Sequence, residues 1–177
     1  MVQVDTWVWG NEKILWGYDL SHKYTYKTLE PKKGRLGCLS LQYHHEKSET
    51  WAIFRGVAWA LVVVDDTVCT RIMRPGDVQN LAALAVHTIT AISDDLVVLE
   101  ASTPDRHAAD KSLPKDVVRL HCLFGRPCVK PKDDREAAML KRCIDVIDEA
   151  MLCIDRGKLP PEYSRAFLDT HGAFSIL

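Results

Sequence analysis

The run Val57-Ala58-Trp59-Ala60-Leu61-Val62-Val63-Val64, cut by Asp65-Asp66 and resumed through Val68 to Met73, constrains the fold of this chain more than any other stretch. It is rich in β-branched and aromatic residues, and the two-aspartate break between two such runs is a hairpin signal. The punctuation continues in the same style. Pro75-Gly76-Asp77 is a turn, residues 78–81, 86–92 and 96–101 read as strands, and Ser93-Asp94-Asp95 turns between the last two. Upstream, residues 24–29 alternate and stop at Glu30-Pro31-Lys32-Lys33-Gly34, and residues 35–42 follow as another strand. Many short strands, close-set turns and almost no helix before about residue 130 predict a small antiparallel barrel or jelly roll.

Inside that pattern sits Leu39-Ser40-Leu41-Gln42-Tyr43-His44-His45-Glu46-Lys47-Ser48-Glu49-Thr50-Trp51. Gln42 and His44 are two apart, so on a strand both side chains leave the same face. The polar residues 45–48 can form a tight loop that returns Glu49 beside them on the next strand. A fourth ligand must come from elsewhere, and His87, alone in an apolar run, is the natural candidate. Oxygen and imidazole donors suit Zn, Mn, Fe or Ni better than a thiolate-preferring ion.

From these residues outward the chain resembles the cupins, and among them the type II mannose-6-phosphate isomerase-like group, which includes the C-terminal domains of mannose-1-phosphate guanylyltransferases. The resemblance runs from Trp9-Gly10 and Tyr26-Lys27 through the 39–51 stretch, Gly56, Pro75-Gly76-Asp77 and His87. It continues to Glu100, Asp116-Val117-Val118-Arg119 and Phe124-Gly125-Arg126. It implies a mainly β fold, a cupin antiparallel β-barrel (jelly roll), with Gln42, His44, Glu49 and His87 at the four metal-ligand positions. Gln42 stands where many cupins have a first histidine. The second motif departs further: Ala82, Ala83 and Leu84 replace a Pro-x-Gly turn, and Ala91 replaces an asparagine. The implied cofactor is a divalent metal, Zn in the first place, with Mn, Fe, Co or Ni as alternatives.

The resemblance further implies a sugar or sugar phosphate as the small-molecule partner, and an aldose-ketose isomerisation as the reaction. A metal would polarise the carbonyl while a base moves a proton between adjacent carbons. Candidates for that base are His45 and Glu46 in the loop and Glu100 on a later strand; spacing alone does not choose among them. Lys27, Lys47, Arg119 and Arg126 are the cations that the resemblance places at the barrel mouth for phosphate. Lys47 falls where the isomerase-like proteins usually carry arginine, which keeps the charge and gives up the bidentate fork. A non-catalytic or regulatory sugar-binding cupin is the alternative from a different class, and another cupin enzyme, a dioxygenase or lyase, is a third.

Composition narrows the partners. Lys+Arg of 23 against Asp+Glu of 24 excludes a nucleic-acid surface held by bulk charge. No export signal opens the chain and no apolar run approaches bilayer length, so the expectation is a cytoplasmic protein with no membrane partner. Six cysteines in a reducing compartment read as free thiols, and none shows Cys-x-x-Cys spacing. No phosphate-cradling glycine loop is present, which argues against nucleotide transfer.

The two ends flank the barrel, expected over residues 1–130. Trp7, Trp9, Trp16 and Tyr18 with little periodicity suggest an arm laid over the outside of a sheet. Beyond Pro131 the period changes: Leu140, Ile144, Ile147, Met151 and Ile154 recur at three or four residues, acidic Asp133, Asp134 and Glu136 open the segment, and Gly157 closes it. That is an amphipathic helix of about six turns. Its stripe must be buried on the barrel, on a second copy or on another partner, and the resemblance implies a homodimer. The tail after Tyr163, with Phe167, Leu168, Phe174, Ile176 and Leu177, is apolar enough to dock in the same domain.

Overall fold

The computed structural model describes residues 2–17 and 21–164. Strands β6 (Ala58–Val64) and β7 (Thr67–Met73) pair antiparallel from Ala58 with Met73 to Val64 with Thr67. Asp65 and Asp66 turn the hairpin at φ of 46° and 60°, the left-handed pair of conformations that matches the twist of the flanking strands. β6 is apolar throughout because both of its faces are covered. Ala58, Ala60 and Val62 point into a core shared with Trp51, Ile53 and Val98, whereas Trp59 and Leu61 pack under the C-terminal helix.

The remaining strands are β1 (Gln3–Trp7), β2 (Gly10–Trp16), β3 (Thr25–Pro31), β4 (Leu41–His44), β5 (Glu49–Arg55), β8 (Val78–Leu81), β9 (His87–Ala91), β10 (Val97–Ser102) and β11 (Val117–His121). They form a six-stranded sheet in the order β1-β2-β3-β10-β5-β8 and a five-stranded sheet in the order β11-β4-β9-β6-β7. Every strand pairing is antiparallel, and the two sheets face each other as a cupin-like β sandwich. Between β5 and β6 the chain turns at Gly56, φ 77°, where a Cβ would stand 2.7 Å from the Leu96 Cα; only glycine fits.

Two expectations need correction. The N-terminal segment is no arm over a sheet: β1 and β2 form a hairpin that extends the six-stranded sheet through β3. Its alternation is hard to see in sequence because inward positions carry polar Asp5 and Glu12 beside buried Ile14, lining a cavity rather than a dry core. Residues 35–42 are likewise not one strand. Gly34–Gly37 is a 3-10 turn whose Gly34 carbonyl accepts from Thr90 Oγ1 at 2.8 Å, and β4 is only four residues long.

A four-residue helix, α1 (Arg106–Ala109), lies between β10 and β11, and α2 (Asp134–Asp155) is the expected long helix. Asp133 caps α2 by accepting from Glu136 N at 2.8 Å, and Glu136 reaches back to Lys132 N, also at 2.8 Å. Gly157 at φ 70° ends it, with Lys158 N donating to Cys153 O at 2.9 Å. Its buried face, Cys143, Ile147, Ala150, Met151 and Ile154, covers Cys38, Leu41, Trp59, Leu61 and Val68 on the outside of the five-stranded sheet. Each large side chain so buried contributes about 1.5–3 kcal/mol.

After α2 the chain returns to the exposed edge of β7, where Thr70 N donates to Tyr163 O at 2.8 Å and Ile72 N to Glu162 Oε1 at 2.8 Å. Tyr18 and the tail residues Phe167, Leu168, Phe174, Ile176 and Leu177 lie outside the described residues. All six cysteines are free. Among the described residues no helix is long and apolar enough to cross a membrane.

Candidate metal centre

β4 delivers Gln42 and His44, β5 begins at Glu49 and β9 begins at His87. β4 and β5 belong to different sheets, so residues 45–48 do not close a hairpin but carry the chain across the sandwich. Gln42 is directly opposite His87 in the β4–β9 ladder, which puts both on the inner face. The outcome is convergence of all four expected ligands at one end of the sandwich. His44, Glu49 and His87 each offer an atom within 4.8 Å of the others, and all three are buried.

The hydrogen bonds around this cluster aim its lone pairs inward. His87 Nδ1 lies 2.8 Å from Ala85 O, a contact only a protonated Nδ1 can satisfy, so Nε2 keeps its lone pair. That Nε2 is buried without a hydrogen-bond partner, 3.7 Å from Glu49 Oε2. His44 Nδ1 lies 3.1 Å from Asp116 Oδ2, and its Nε2 lies 3.1 Å from Glu49 Oε1. Trp51 Nε1 donates to Glu49 Oε2 at 3.1 Å and fixes the carboxylate plane. Gln42 accepts from Ser40 through Oε1 at 2.7 Å and turns Nε2 toward His44 Nε2 at 3.4 Å. A half-turn of that amide presents the oxygen instead, and Ser40 can accept as well as donate. Two imidazole nitrogens and a carboxylate oxygen with a buried orphan nitrogen are a donor set that fits a divalent ion.

Charge in the site runs as an alternating ladder. Lys27 Nζ lies 2.7 Å from Glu12 Oε1 and 3.1 Å from Glu100 Oε1, and Lys47 Nζ lies 3.4 Å from Glu100 Oε1 and in direct contact with Glu49 Oε1. Burial pulls the Lys27 and Lys47 ammonium groups down, but the carboxylates of Glu100, Glu12 and Glu49 outweigh it and hold both above their ordinary range. Burial pushes Glu49 up, and Lys47, the His44 hydrogen bond and His87 more than reverse it, leaving Glu49 well below the usual carboxylate range. For His87 burial wins and the imidazole is held below its ordinary value. Lys47, which the resemblance places at the barrel mouth for phosphate, is instead a buried partner of the Glu49 carboxylate.

The centre opens into a cavity of about 580 Å³, within the usual range for small-molecule sites. Glu100, Lys27, Lys47, Arg119 and Arg126 all line it. His45 and Glu46 do not: both are exposed, and Glu46 borders a separate surface depression with Thr103 and Arg106. Asp116 was not assigned a role from sequence. Its Oδ2 faces His44 while its Oδ1 accepts Glu46 N at 2.8 Å, so it holds both the imidazole and the loop. With the two partners 72 positions apart in the chain, no local spacing could have shown it.

No family model and no curated protein matches this chain. Solved structures do. The capsular polysaccharide assembling protein CapF from Staphylococcus aureus superposes with a TM-score of 0.56 at 16% identity, over 69% of this chain and 35% of CapF. CapF with the inhibitor 3-isopropenyl-tropolone gives 0.55 at 15%, over 69% and 34%. The Lactobacillus farciminis oxalate decarboxylase formate complex gives 0.52 at 19% identity, over 67% of this chain and 33% of that one. This chain thus spans about a third of the length of each. At such identities the likeness is one of fold, and together with the two antiparallel sheets and the C-terminal helix it shows that the chain has the cupin fold.

Proposed function

We propose that this protein is a metal-dependent cupin enzyme acting on a sugar or sugar phosphate, as an aldose-ketose isomerase of the mannose-6-phosphate isomerase-like kind. The observation that carries this reading is the buried convergence of His44, Glu49 and His87, with the unpaired His87 Nε2, at the wall of a cavity lined by charged and polar side chains. Gln42 completes the donor set from the adjacent strand. When bound, a divalent ion supplies Lewis acidity toward a substrate carbonyl oxygen.

Among the three candidate bases Glu100 is the one the cavity contains. Lys27 and Lys47 both hold its Oε1, which leaves Oε2 to take a proton from the carbon beside the carbonyl and return it to the neighbouring carbon. With an ion bound, Asp116 would hold the His44 Nδ1–H so that Nε2 presents its lone pair to the centre, and Trp51 would hold the Glu49 carboxylate. One contact favours the non-catalytic alternative: Lys47 already engages the Glu49 oxygen that a metal would use.

The test combines elemental analysis with a coupled assay over hexose and pentose phosphates, with Zn, Mn, Fe, Co and Ni each supplied. Stoichiometric metal that is lost from a His44→Ala, Glu49→Ala variant, together with turnover that Glu100→Gln abolishes, supports the isomerase. Metal-bound protein that turns over none of these substrates would remove the isomerase assignment, and metal-free protein with an unchanged melting temperature would favour the sugar-binding alternative.

A further inference from the structure

Burial raises the thiols of Cys38, Cys69, Cys128 and Cys143 among the six free cysteines. Cys38 and Cys143 are buried where α2 meets the sheet, and each is pushed up to about 12. Cys122 goes the other way. Burial pushes it up too, but the hydrogen bond from the Arg126 side chain, the backbone N–H groups of Phe124 and Arg126, and the Arg126 charge outweigh burial and hold it below the ordinary thiol value. Cys122 is only half-buried. A partly exposed sulfur beside a guanidinium is the environment of a reactive cysteine rather than a structural one.

The loop that follows β11 builds this environment and brings a second thiol to it. Gly125, at φ 68°, turns the chain and donates its N–H to Cys122 O at 3.2 Å; Val129 N donates back to Arg119 O at 2.9 Å, so residues 126–129 return alongside the strand. Across that turn Arg126 Nε donates to Cys122 Sγ at 3.1 Å. Cys128 is exposed on the same return, its Sγ donating to Arg126 O at 3.3 Å. Counting back from Val129 opposite Arg119 sets Cys128 opposite Leu120, on the diagonal from Cys122 and on the same face. Diagonal positions in an antiparallel pair lie about 7–8 Å apart, just beyond the reach of about 7 Å within which two cysteines can be bridged. A small inward shift of residues 126–128 closes the gap. The loop has room for it, because a Cβ placed on Gly125 would meet nothing within 4 Å.

We propose that Cys122 is a peroxide-reactive thiol and Cys128 its resolving partner, so that oxidation closes a disulfide across the 122–128 loop and frees the Arg126 guanidinium in the cavity wall. The oxidant is hydrogen peroxide or an organic hydroperoxide. The Cys122 thiolate attacks the terminal peroxide oxygen, the O–O bond breaks, and the departing hydroxide or alkoxide takes a proton from solvent; the sulfur, oxidised by two electrons, becomes a sulfenic acid. The Cys128 sulfur then attacks the Cys122 sulfur, the S–O bond breaks, and the hydroxyl leaves as water with the Cys128 proton. Arg126 favours the first step by stabilising the thiolate. A disulfide sulfur carries no charge and accepts hydrogen bonds weakly. Closure therefore costs Arg126 its contact with Cys122, and the guanidinium that moves is one that lines the cavity. The inference stands whatever the cavity binds.

The experiment maps thiol chemistry on the reduced chain by peptide mass spectrometry. Iodoacetamide at neutral pH should label Cys122 on the order of tenfold faster than Cys128, and Arg126→Gln should remove most of that lead. Equimolar hydrogen peroxide should then consume both thiols of one chain together, as a Cys122–Cys128 disulfide that dithiothreitol reverses. In Cys128→Ser the reaction should stop at a sulfenic acid on Cys122, trapped by dimedone. Labelling of Arg126 by phenylglyoxal should rise on oxidation of the wild-type chain and fall back on reduction. Equal alkylation rates, a lead that survives in folded Arg126→Gln, peroxide treatment that leaves both thiols free, or a disulfide between two chains overturns the thiol pair. Unchanged Arg126 labelling overturns its link to the cavity. Where either variant melts early, the order of alkylation and the oxidation product in the wild-type chain decide alone.

Discussion

His44 Nδ1 lies 3.1 Å from Asp116 Oδ2, and that pair joins the strand carrying two candidate ligands to the start of β11 across 72 residues. The same carboxylate accepts the backbone N–H groups of Glu46 and Lys47, so one side chain sets both the imidazole tautomer and the path of the loop that leads to Glu49.

Asp116→Asn keeps the shape and removes the charge that favours a protonated Nδ1. Metal affinity, measured by competition with a chelating dye, should drop by about 10–100-fold with the fold intact. An unchanged affinity would show that Asp116 serves the loop alone.

The cavity ladder places Lys27 between Glu12 and Glu100 with little solvent access. Lys27→Met leaves Glu12 without its ammonium partner and Glu100 with Lys47 alone, and should destabilise the fold by about 3–5 kcal/mol. Adding Glu12→Gln should return part of that in urea melts, and strict additivity of the two changes would show that the ladder is not one unit.

Stability should decline in acid for a reason local to the centre. His87 is held below its ordinary 6.5, chiefly by burial, and Glu49 is held well below its ordinary 4.5 despite burial, by Lys47, His44 and His87. In both cases the folded chain protonates less readily than the unfolded one, so each contribution is present above the unfolded pKa and lost as pH falls through the folded one. The decline begins near 6.5 with His87 and continues below 4.5 with Glu49. Urea midpoints recorded on the metal-free chain from about pH 7 to about pH 4 should fall, and His87→Gln should flatten the upper part of that range. A wild-type midpoint that stays level across the interval contradicts the assignment.

Ile147 and Met151 are fully buried against this chain's own five-stranded sheet. Ile147→Ala should destabilise by about 2–5 kcal/mol, and Ile147→Asp by more, because it also buries an unpaired charge. Truncation after Pro131 uncovers Trp59 and Leu61 and should lead to unfolding or aggregation rather than to a soluble barrel. A homodimer, which we propose from the resemblance, would then use a surface other than this helix face, and sedimentation of the full chain checks whether it forms. Folded, soluble truncated protein would place the helix in an intermolecular contact instead.

Much of the fold was legible because it rests on local rules. Short apolar runs rich in β-branched residues, the Asp65-Asp66 hairpin, the Pro75-Gly76-Asp77 turn and the three-to-four residue stripe of α2 each depend on neighbours a few positions apart. Gln42, His44 and Glu49 could be grouped for the same reason, since they sit within one short stretch. Where local rules failed, the environment had changed the pattern: β1 and β2 turn Asp5 and Glu12 inward because their inner face borders a cavity lined by polar and charged side chains, which erases the alternation that marks a strand. Only the tertiary structure could decide which polar residues share that cavity. It brought Glu100 in and left His45 and Glu46 outside, buried Lys47 against Glu49, joined Asp116 to His44 and, among the described residues, left the buried Arg119 Nε without a hydrogen-bond partner. Those relationships depend on strand order between two sheets, and strand order is set by packing among segments far apart in the chain, which no window of sequence contains.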